Sequence, residues 1–560
     1  MKKLVGVAAA LCLAGCGGEG TAAVDKREAG AQADPFWGNA SIYFMLPDRF
    51  ANGDPDNDLS YGRQDDAELL RGFAGGDLQG VIDKLETGYF RDLGINAIWM
   101  SPVVEQVQGY DEGDGRTYAY HGYWPRDWTA VDTNFGSEED LRRLIETAHS
   151  QGIRILLDVI VNHTGPVTER DPVWPAEWVR TGPVCDWSSF AANVSCALTD
   201  NLPDIRTESE QPVDLPPQLL AKWEKEGRLE REQRELDAFF ERTGYPRAPK
   251  YYIIKWLTDW VREYGVDGFR ADTVKHVEPE VWAVLKKEAS LALAEWKAQN
   301  PDKKLDDRDF FMLGEVYHFG VNDFGSTRGR AYDFGDRRVD FFDFGFDSLI
   351  NMGFAQHAGQ SPEEIFSSYS QNLHGGPLDG LGVLNYLGSH DDHHSFDRER
   401  EQAKEAALKL MLAPGAAQIY YGDELARPMI VEGAIGDASM RSFMNWKDLD
   451  LEREPTREIL SHWQKLGQFR RANPSLGAGE HKKLADKPYT FARTLEGESP
   501  VLVSLGQQTG KKSLPVYDLF ADGTLLRDYY SGTESRVEQG WVSFDTAYDL
   551  LLLGASAERE

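Results

Sequence analysis

The sequence has 560 residues, of which 41% are hydrophobic and 27% are charged, and acidic residues outnumber basic ones by 92 to 60. The net charge of −32 argues against nucleic acid as a partner, since phosphates need a basic surface, and against adsorption to anionic lipid. The length predicts two or three domains, or one large barrel with an appendage, and the composition argues against intrinsic disorder.

The N-terminus is typical of an exported protein. Two lysines precede an apolar run at residues 4–13, which is too short to span a bilayer, where about 20 residues are needed. Residues 13–16, Leu-Ala-Gly-Cys, resemble the lipobox of bacterial lipoproteins, in which the signal is cut before an acylated cysteine. An ordinary signal peptide with an incidental cysteine is the alternative. We expect a signal peptide at residues 1–15, a lipid anchor on Cys16 and a flexible tether over residues 16–35.

Apolar strand-like runs then alternate with amphipathic helices. Strands are predicted at residues 41–46, 95–100, 153–160, 266–271, 310–315, 383–387 and 416–421. Before the third strand, Ser137 and Asp140 form a capping-box pattern ahead of a helix that Gly152 ends. Further helical faces lie at residues 252–260 and 281–296. This alternation predicts a parallel sheet, and the number of units fits an α/β fold of the (β/α)8 TIM-barrel class.

Two regions interrupt the alternation. A stretch rich in Pro, Trp and Glu at residues 162–249 is too long for a plain loop, so we expect an inserted subdomain after strand three. Towards the C-terminus, short β-like runs replace the helical periodicity, which predicts an antiparallel β-domain at residues 475–560. The barrel itself would then comprise residues 36–161 and 250–474.

The insert contains two cysteines, Cys185 and Cys196. In an exported protein, such a close pair is expected to form a disulfide that closes a small loop. A zinc site is disfavoured, because no histidine lies beside either cysteine.

Acidic residues cluster where the predicted strands end, which is the edge at which barrel enzymes keep their active sites. Four strands in the barrel end in this way, at Asp158, Asp272, Glu315 and Asp391. One such acid alone is more often a helix cap or an ion-pair partner, whereas four are hard to explain structurally. Because side chains alternate along a strand, Arg270 would face the same side as Asp272 and keep it ionised, as a nucleophile must be. Glu315 emerges from an apolar strand, where a raised pKa would suit proton donation.

These strand ends resemble the conserved regions of the α-amylase family of glycoside hydrolases, in particular its bacterial periplasmic or secreted members. The matching segments lie at residues 158–163, 202–205, 265–276, 311–317, 387–391 and 415–424. The resemblance implies that Asp272 is the nucleophile and Glu315 the general acid/base of a retaining mechanism, with carboxyls about 5–5.5 Å apart. It also implies that Asp391 binds the sugar hydroxyls in the transition state. Ser389 replaces an Asn that many relatives carry, which leaves this acid intact.

The resemblance also implies which side chains contact the sugar. Tyr123 would stack on the ring in the cleavage subsite, which His163 and His390 would also contact. Lys275 and His276 would lie on the leaving-group side. The remaining implied substrate-binding residues are His121 and Arg270. For the histidines, the alternative is helix capping or packing behind the site.

Two calcium sites are predicted, because hard oxygen ligands in turns suit Ca²⁺. The first resembles a calcium loop of some family members and comprises Asn52, Asp54, Asn57, Asp58, Gly75 and Asp77. Such a run is otherwise only a turn. The second matches the family's calcium position between insert and barrel and uses Asn162, Asp204 and the backbone carbonyl of His276. Its alternative is that Asn162 and Asp204 cap turns.

The resemblance implies a calcium-binding enzyme that cleaves internal α-1,4 bonds of an α-glucan such as starch or maltodextrin, and the lipobox-like residues imply that it is lipid-anchored. Cyclomaltodextrinases, neopullulanases and transglycosylases of the same family share all these motifs and remain alternatives. A surface glucan-binding lipoprotein on an inactive barrel is the alternative without catalysis. No Asp follows Cys16, which in a Gram-negative cell favours the outer membrane, on its periplasmic or surface face.

Overall fold

The computed structural model describes residues 33–113 and 115–556. The predicted signal peptide, Cys16 and most of the predicted tether lie outside these described residues. Within the described ranges, no helix is both long enough and apolar enough to cross a membrane.

Eight parallel strands form a closed barrel in which the last strand pairs with the first, which confirms the predicted fold. They are β1 (Ser41–Met45), β2 (Ala97–Met100), β3 (Arg154–Val159), β4 (Gly268–Ala271), β5 (Phe311–Gly314), β6 (Ser348–Asn351), β7 (Gly382–Tyr386) and β8 (Ala416–Tyr420). Apart from the half-buried Gly382, every residue of these strands is buried. Strands covered on both faces read as continuous apolar runs, which is why most of them are visible in the sequence.

Helices surround the barrel and extend into the insert. The longer ones are α1 (Leu78–Glu86), α2 (Glu138–Ser150), α3 (Pro217–Lys225), α4 (Leu229–Thr243), α5 (Pro249–Tyr264), α6 (Pro279–Gln299), α7 (Pro362–Leu373), α8 (Ala403–Met411) and α9 (Glu454–Ala472). The predicted capping box is present at the start of α2, where Ser137 and Asp140 bond each other's backbone N–H. Gly265 ends α5 with φ of 73°, a left-handed conformation that suits glycine, and the chain then turns directly into β4.

The insert packs against the barrel through buried tryptophans. The ring centroids of Trp178 and Trp256 lie 6.1 Å apart, and Trp223 meets Trp256 edge-on at the same distance. All three side chains are buried. Trp256 lies on α5, so the insert, which carries α3, α4 and the Cys185–Cys196 disulfide, is fixed against this barrel helix.

Small sheets lie in the segments that connect the barrel strands. Val104–Gln106 pairs with Pro125–Val131 after β2, and Val179–Arg180 pairs with Asp204–Ile205 within the insert. After β5, Thr327–Arg328, Ala331–Asp333 and Arg338–Val339 form a three-stranded sheet. These excursions supply the loops that surround the strand ends.

The C-terminal region is an antiparallel β-domain, as predicted. Its strands are β9 (Glu480–Asp486), β10 (Tyr489–Thr494), β11 (Val501–Leu505), β12 (Gly510–Pro515), β13 (Leu525–Asp528), β14 (Glu534–Arg536), β15 (Trp541–Thr546) and β16 (Leu550–Ala555). Six of them form one sheet in the order β9-β10-β11-β16-β13-β14, and β12 pairs with β15.

Candidate active site

The guanidinium of Arg270 organises the carboxylates at the ends of β3 and β4. Its Nη1 lies 2.8 Å from Asp272 Oδ1 and 2.9 Å from Asp158 Oδ1. Arg270 is only 2% exposed. Alternation along β4 therefore places Arg270 and Asp272 on the same side, as the sequence predicts.

Glu315 follows β5 and points into the same cluster. Arg270 Nη2 lies 3.2 Å from Glu315 Oε2, so one guanidinium contacts both Asp272 and Glu315. The backbone N–H of Thr273 donates to the same Glu315 oxygen at 2.8 Å. Glu315 is 8% exposed, which keeps this carboxyl largely out of bulk water.

Burial gives the two carboxyls different pKa values. Burial raises the pKa of Asp272 to about 6, against the attraction of Arg270. Burial, together with the charges of Asp272 and Asp391, raises the pKa of Glu315 to about 8 against the attraction of Arg270. Between these values, Asp272 is ionised and Glu315 carries a proton. A nucleophile and a proton donor need this division.

Asp391 lies at the end of the seventh strand and is half exposed to the cleft. Ser389 Oγ donates to Asp391 Oδ1 at 3.0 Å, so the residue that departs from the family pattern supports the acid. Burial opposes ionisation, but His390, Arg441 and Arg270 hold the pKa of Asp391 below its ordinary value. A carboxylate in this state can accept hydrogen bonds from sugar hydroxyls.

An aromatic platform borders the carboxyl cluster. The rings of Tyr123 and His390 stack 4.9 Å apart at 8° to each other. The Tyr123 hydroxyl donates to Asp158 Oδ2 at 2.8 Å, which ties the platform to the Arg270 cluster. Tyr123 therefore lies beside the carboxyl cluster, and its stacking on a sugar ring stays a prediction.

The other predicted histidines support Tyr123. His163 Nε2 lies 3.1 Å from the Tyr123 carbonyl, and His121 Nδ1 accepts the Tyr123 N–H at 3.0 Å. Burial lowers the pKa of His163 to about 4 and that of His390 to about 3, so both rings are neutral near pH 7. His121 is 5% exposed and so positions Tyr123 more than it faces the cleft.

Lys275 and His276 lie on the short helical turn that follows Asp272. Lys275 Nζ donates to the Tyr332 hydroxyl at 3.1 Å, and His276 Nδ1 lies 2.9 Å from the backbone oxygen of Asn193 in the insert. Both side chains are buried among these partners. The structure therefore brings the three predicted acids, Arg270 and Tyr123 together with His121, His163 and His390. Lys275 and His276 are linked to this cluster only through the turn after Asp272, and the roles of all these residues stay predictions.

Sequence reasoning missed two side chains of this cluster. Trp99 Nε1 donates to Asp158 Oδ2 at 3.0 Å, and the Arg270 guanidinium lies 5.1 Å from the Trp99 ring centroid. Arg441 Nε donates to the His390 carbonyl at 2.9 Å. Trp99 occupies a strand end and could have been noticed there. Arg441 lies in the long segment after β8, where no local pattern marks it.

Oxygen atoms converge at the second predicted calcium site. In one orientation of its carboxamide, the Asn162 nitrogen donates to the His276 carbonyl at 2.8 Å and to Asp204 Oδ1 at 3.2 Å. In the opposite orientation, the carboxamide oxygen faces these two oxygens instead. Burial raises the pKa of Asp204 to about 9, although Arg180 Nε lies 2.9 Å from Asp204 Oδ2. A divalent cation among these oxygens would keep Asp204 ionised, so the residues fit Ca²⁺.

The first predicted calcium loop lies apart from the carboxyl cluster. Asp77 caps α1 through the Gly80 N–H at 2.7 Å and also accepts the Asp54 N–H at 2.7 Å. Asn52 Nδ2 donates to Asp58 Oδ1 at 2.9 Å, and a Cβ at Gly75 would lie 2.6 Å from either side chain. Many of the side-chain oxygens in this loop thus already accept hydrogen bonds in turns and in the cap of α1. Among the described residues, no group of three or more His, Cys, Asp or Glu is arranged to hold a metal.

Comparison with known proteins identifies the barrel. The family model described as alpha amylase, catalytic domain, matches residues 44–195 and 237–479. The unmatched stretch between them contains α3 and part of α4. A periplasmic alpha-amylase of Escherichia coli K12 is 37% identical over 545 residues, covering 87% of this chain and 75% of the relative. A cyclomaltodextrinase of a Bacillus species is 27% identical over 462 residues, covering 80% of this chain and 69% of the relative.

Solved structures share the fold. An alpha-amylase of Anoxybacillus is 24% identical with a TM-score of 0.61, covering 93% of this chain and 99% of the relative. The alpha-amylase of Geobacillus thermoleovorans in complex with acarbose is 22% identical with a TM-score of 0.63 and the same coverage. At these low sequence identities, the structural similarity supports a shared fold and nothing beyond it.

Proposed function

The chain belongs to the alpha-amylase family of glycoside hydrolases, and we propose that it hydrolyses internal α-1,4-glucosidic bonds of starch or maltodextrin with retention of configuration. The observation that carries this proposal is the contact of one guanidinium with two carboxyls whose pKa values lie on either side of neutrality. A retaining glycosidase needs such a pair, with the carboxyls about 5–5.5 Å apart.

The proposed mechanism uses two displacements. Glu315 donates its proton to the glycosidic oxygen while Asp272 attacks the anomeric carbon, which breaks the bond to the leaving sugar and forms a covalent glycosyl-enzyme. Glu315 then takes a proton from water while the water oxygen attacks the anomeric carbon. This attack breaks the ester bond to Asp272, releases the glycone and regenerates the Asp272 carboxylate. Asp391 accepts hydrogen bonds from sugar hydroxyls, and these strengthen as charge develops on the ring.

The finer substrate assignment rests on the relatives. The Escherichia coli relative, which is a periplasmic alpha-amylase, supports an endo-acting enzyme on linear glucans. The Bacillus relative keeps cyclomaltodextrin hydrolysis as the second candidate. A glucan-binding protein without catalysis is disfavoured, since Asp272, Glu315 and Asp391 are all in place.

Product analysis on three substrates separates these candidates. The proposal predicts a ladder of maltooligosaccharides from starch and slow attack on cyclodextrin and pullulan. Faster hydrolysis of cyclodextrin than of starch would favour the cyclomaltodextrinase assignment. Release of panose from pullulan would favour neopullulanase.

We also propose that Ca²⁺ stabilises the join between insert and barrel. Asn162, Asp204 and the His276 carbonyl would hold it, and the ion would supply positive charge to the buried carboxylate. Calcium at the loop of Asn52 and Asp58 is a further proposal, with weaker support because Asp54 and Asp77 already accept backbone N–H groups.

We also propose that the protein is exported and carries a lipid anchor on Cys16. The lipobox-like residues 13–16 and the periplasmic relative support it. Fractionation of cells that express the full chain tests it. The wild-type protein should sediment with membranes, whereas a Cys16→Ser variant should not. Equal distribution of the two proteins would contradict the anchor.

A further inference from the structure

A cleft of about 350 Å³ lies between the ends of α2, α5 and α6, and we call it the α2–α6 cleft. Helices α2 and α5 end at Ser150 and Tyr264, shortly before β3 and β4 begin, so the cleft lies at the amino end of the barrel strands. The proposed catalytic acids lie at the opposite, carboxyl end. Small-molecule sites in proteins have volumes of about 300–1,000 Å³, so the α2–α6 cleft is large enough to hold a ligand.

The floor of the α2–α6 cleft consists of buried rings. His149 of α2, Tyr264 of α5 and Trp296 of α6 line it, and each is at most 8% exposed. The Trp296 indole packs on the backbone of Gly265, where a Cβ would lie 2.3 Å from the ring. His149 Nε2 lies 2.8 Å from Asp267 Oδ2, which fixes the imidazole. The floor is therefore held in place by the barrel itself.

Two ring nitrogens of this floor have no partner within the described part of the chain. The Trp296 Nε1–H donates to no acceptor there, and His149 Nδ1 bonds to no group there. Neither nitrogen is sealed from solvent. A neutral imidazole that donates its Nε2–H to Asp267 carries its acceptor on Nδ1. The floor thus offers one hydrogen-bond donor and one acceptor to a ligand.

The rim of the α2–α6 cleft carries equal numbers of positive and negative side chains. The cations are Arg142, Lys303 and Lys304, and the anions are Glu146, Glu263 and Asp302. Lys303 Nζ lies 2.7 Å from Glu146 Oε1 and joins the turn after α6 to α2. The carboxylates of Glu263 and Asp302 form no ion pair or hydrogen bond with any described residue. Because the rim charges cancel, the cleft favours a neutral ligand over an ion.

A neutral ligand that matches these groups carries several hydroxyls. A sugar hydroxyl can donate to the free carboxylate of Glu263 or Asp302 and accept from the Trp296 N–H, since it is both a donor and an acceptor. The apolar face of a pyranose ring can pack on aromatic side chains such as those of the floor. Starch and maltodextrin, which are the proposed substrates, are neutral polymers of such rings.

We propose that the α2–α6 cleft is a second binding site for the glucan, at the end of the barrel remote from the catalytic acids. The sugar site itself is inferred from the cleft, whereas its assignment to an α-glucan rests on the proposed hydrolase function. A second site on the same chain raises the effective concentration of a long polysaccharide near the enzyme. The site should therefore matter for starch granules and not for short oligosaccharides.

Binding of an S-linked maltotetraose, which resists enzymatic hydrolysis, tests the inference. Calorimetric titration of the full wild-type chain should show two sites. Ser150→Trp places an indole at the exposed rim of the cleft and should remove one of them, whereas Tyr123→Ala should weaken the other. Asp302→Asn should weaken the cleft site about three- to tenfold, because the amide is a poorer acceptor than the carboxylate. Asp518→Asn, at an exposed position in the β-domain, is the matched control and should retain both sites.

Activity provides a second readout. Ser150→Trp should leave kcat/KM for maltoheptaose within about twofold and lower the initial rate on granular starch by about three- to tenfold. A single wild-type site that Tyr123→Ala weakens, or two sites that neither Ser150→Trp nor Asp302→Asn changes, would overturn the inference. If Ser150→Trp does not fold, Asp302→Asn carries the test alone. A wild-type chain that binds the ligand at the cleft but does not hydrolyse maltoheptaose would instead overturn the proposed function.

Discussion

The backbone N–H of Thr273 donates to Glu315 Oε2 at 2.8 Å, so the residue that follows the proposed nucleophile, Asp272, holds the proposed proton donor on the next strand. Thr273 itself has a left-handed φ of 50°. Neighbouring parallel strands are about 4.8 Å apart, which sets the scale of the contact between β4 and β5. The two acids are therefore positioned by the barrel and one turn.

Loss of the proton donor should nearly abolish hydrolysis of unactivated glucans. Glu315→Gln keeps the shape of the side chain but cannot donate the proton, so kcat on maltoheptaose should fall by about 10²–10⁴-fold. Hydrolysis of α-maltotriosyl fluoride should fall less in its first step, because fluoride needs little protonation. Glu280→Gln, at an exposed position on α6, is the control and should retain wild-type rates. Full activity in Glu315→Gln would exclude Glu315 as the acid.

Activity should depend on pH through the same two carboxyls. Asp272 must be ionised to attack, so kcat/KM should decline as pH falls through about 6. Glu315 must be protonated to donate, so kcat/KM should decline as pH rises through about 8. The rate should therefore peak between these values when initial rates are measured in a constant-ionic-strength buffer series. In Glu315→Gln the alkaline limb should disappear, and its persistence would assign that limb to another group.

The fold was largely predictable because its strands are apolar on both faces, whereas several details depend on long-range contacts. The strand β6 (Ser348–Asn351) was not predicted, since its polar ends are buried through contacts such as Asn351 Nδ2 to Asn385 Oδ1 at 2.8 Å. The clustering of Asp272 and Glu315 was predictable, because parallel strands bring their carboxyl ends to one edge. The contact of His276 with the Asn193 carbonyl was not, since it depends on how the insert docks against the barrel.

The insert should owe much of its attachment to one buried charge cluster. Asp127 Oδ2 lies 2.7 Å from both Lys222 Nζ on α3 and Arg228 Nη2 before α4, and Asp127 is fully buried. Asp127→Ala removes the carboxylate that Lys222 and Arg228 share, while Glu105 still pairs with Lys222, and Glu226 and Glu232 still pair with Arg228. The variant should therefore lower the free energy of unfolding by about 1–3 kcal/mol in urea denaturation. Asp307→Ala, which breaks an exposed pair with Lys304, is the control and should cost about 0–1 kcal/mol. Equal effects of the two variants would contradict this account.

Calcium should stabilise the protein through Asn162. A chelator should lower the melting temperature by roughly 3 °C when free calcium had been about 100 times Kd. Asn162→Asp keeps an oxygen ligand but loses the amide donor, so this variant should melt near the wild-type temperature in calcium and well below it in chelator. If the amide nitrogen donates to Asp204 and His276 instead, the variant should be destabilised equally in both buffers and the chelator should not affect the wild type.

The stereochemistry of the first product tests the double displacement by Asp272 and Glu315 most directly. Proton NMR spectra recorded during the first minutes of maltoheptaose hydrolysis distinguish the anomers at the new reducing end before they equilibrate. Retention predicts that the α-anomer accumulates first and that the β-anomer follows only by mutarotation. Initial accumulation of the β-anomer would show inversion and would contradict the assignment of Asp272 as nucleophile.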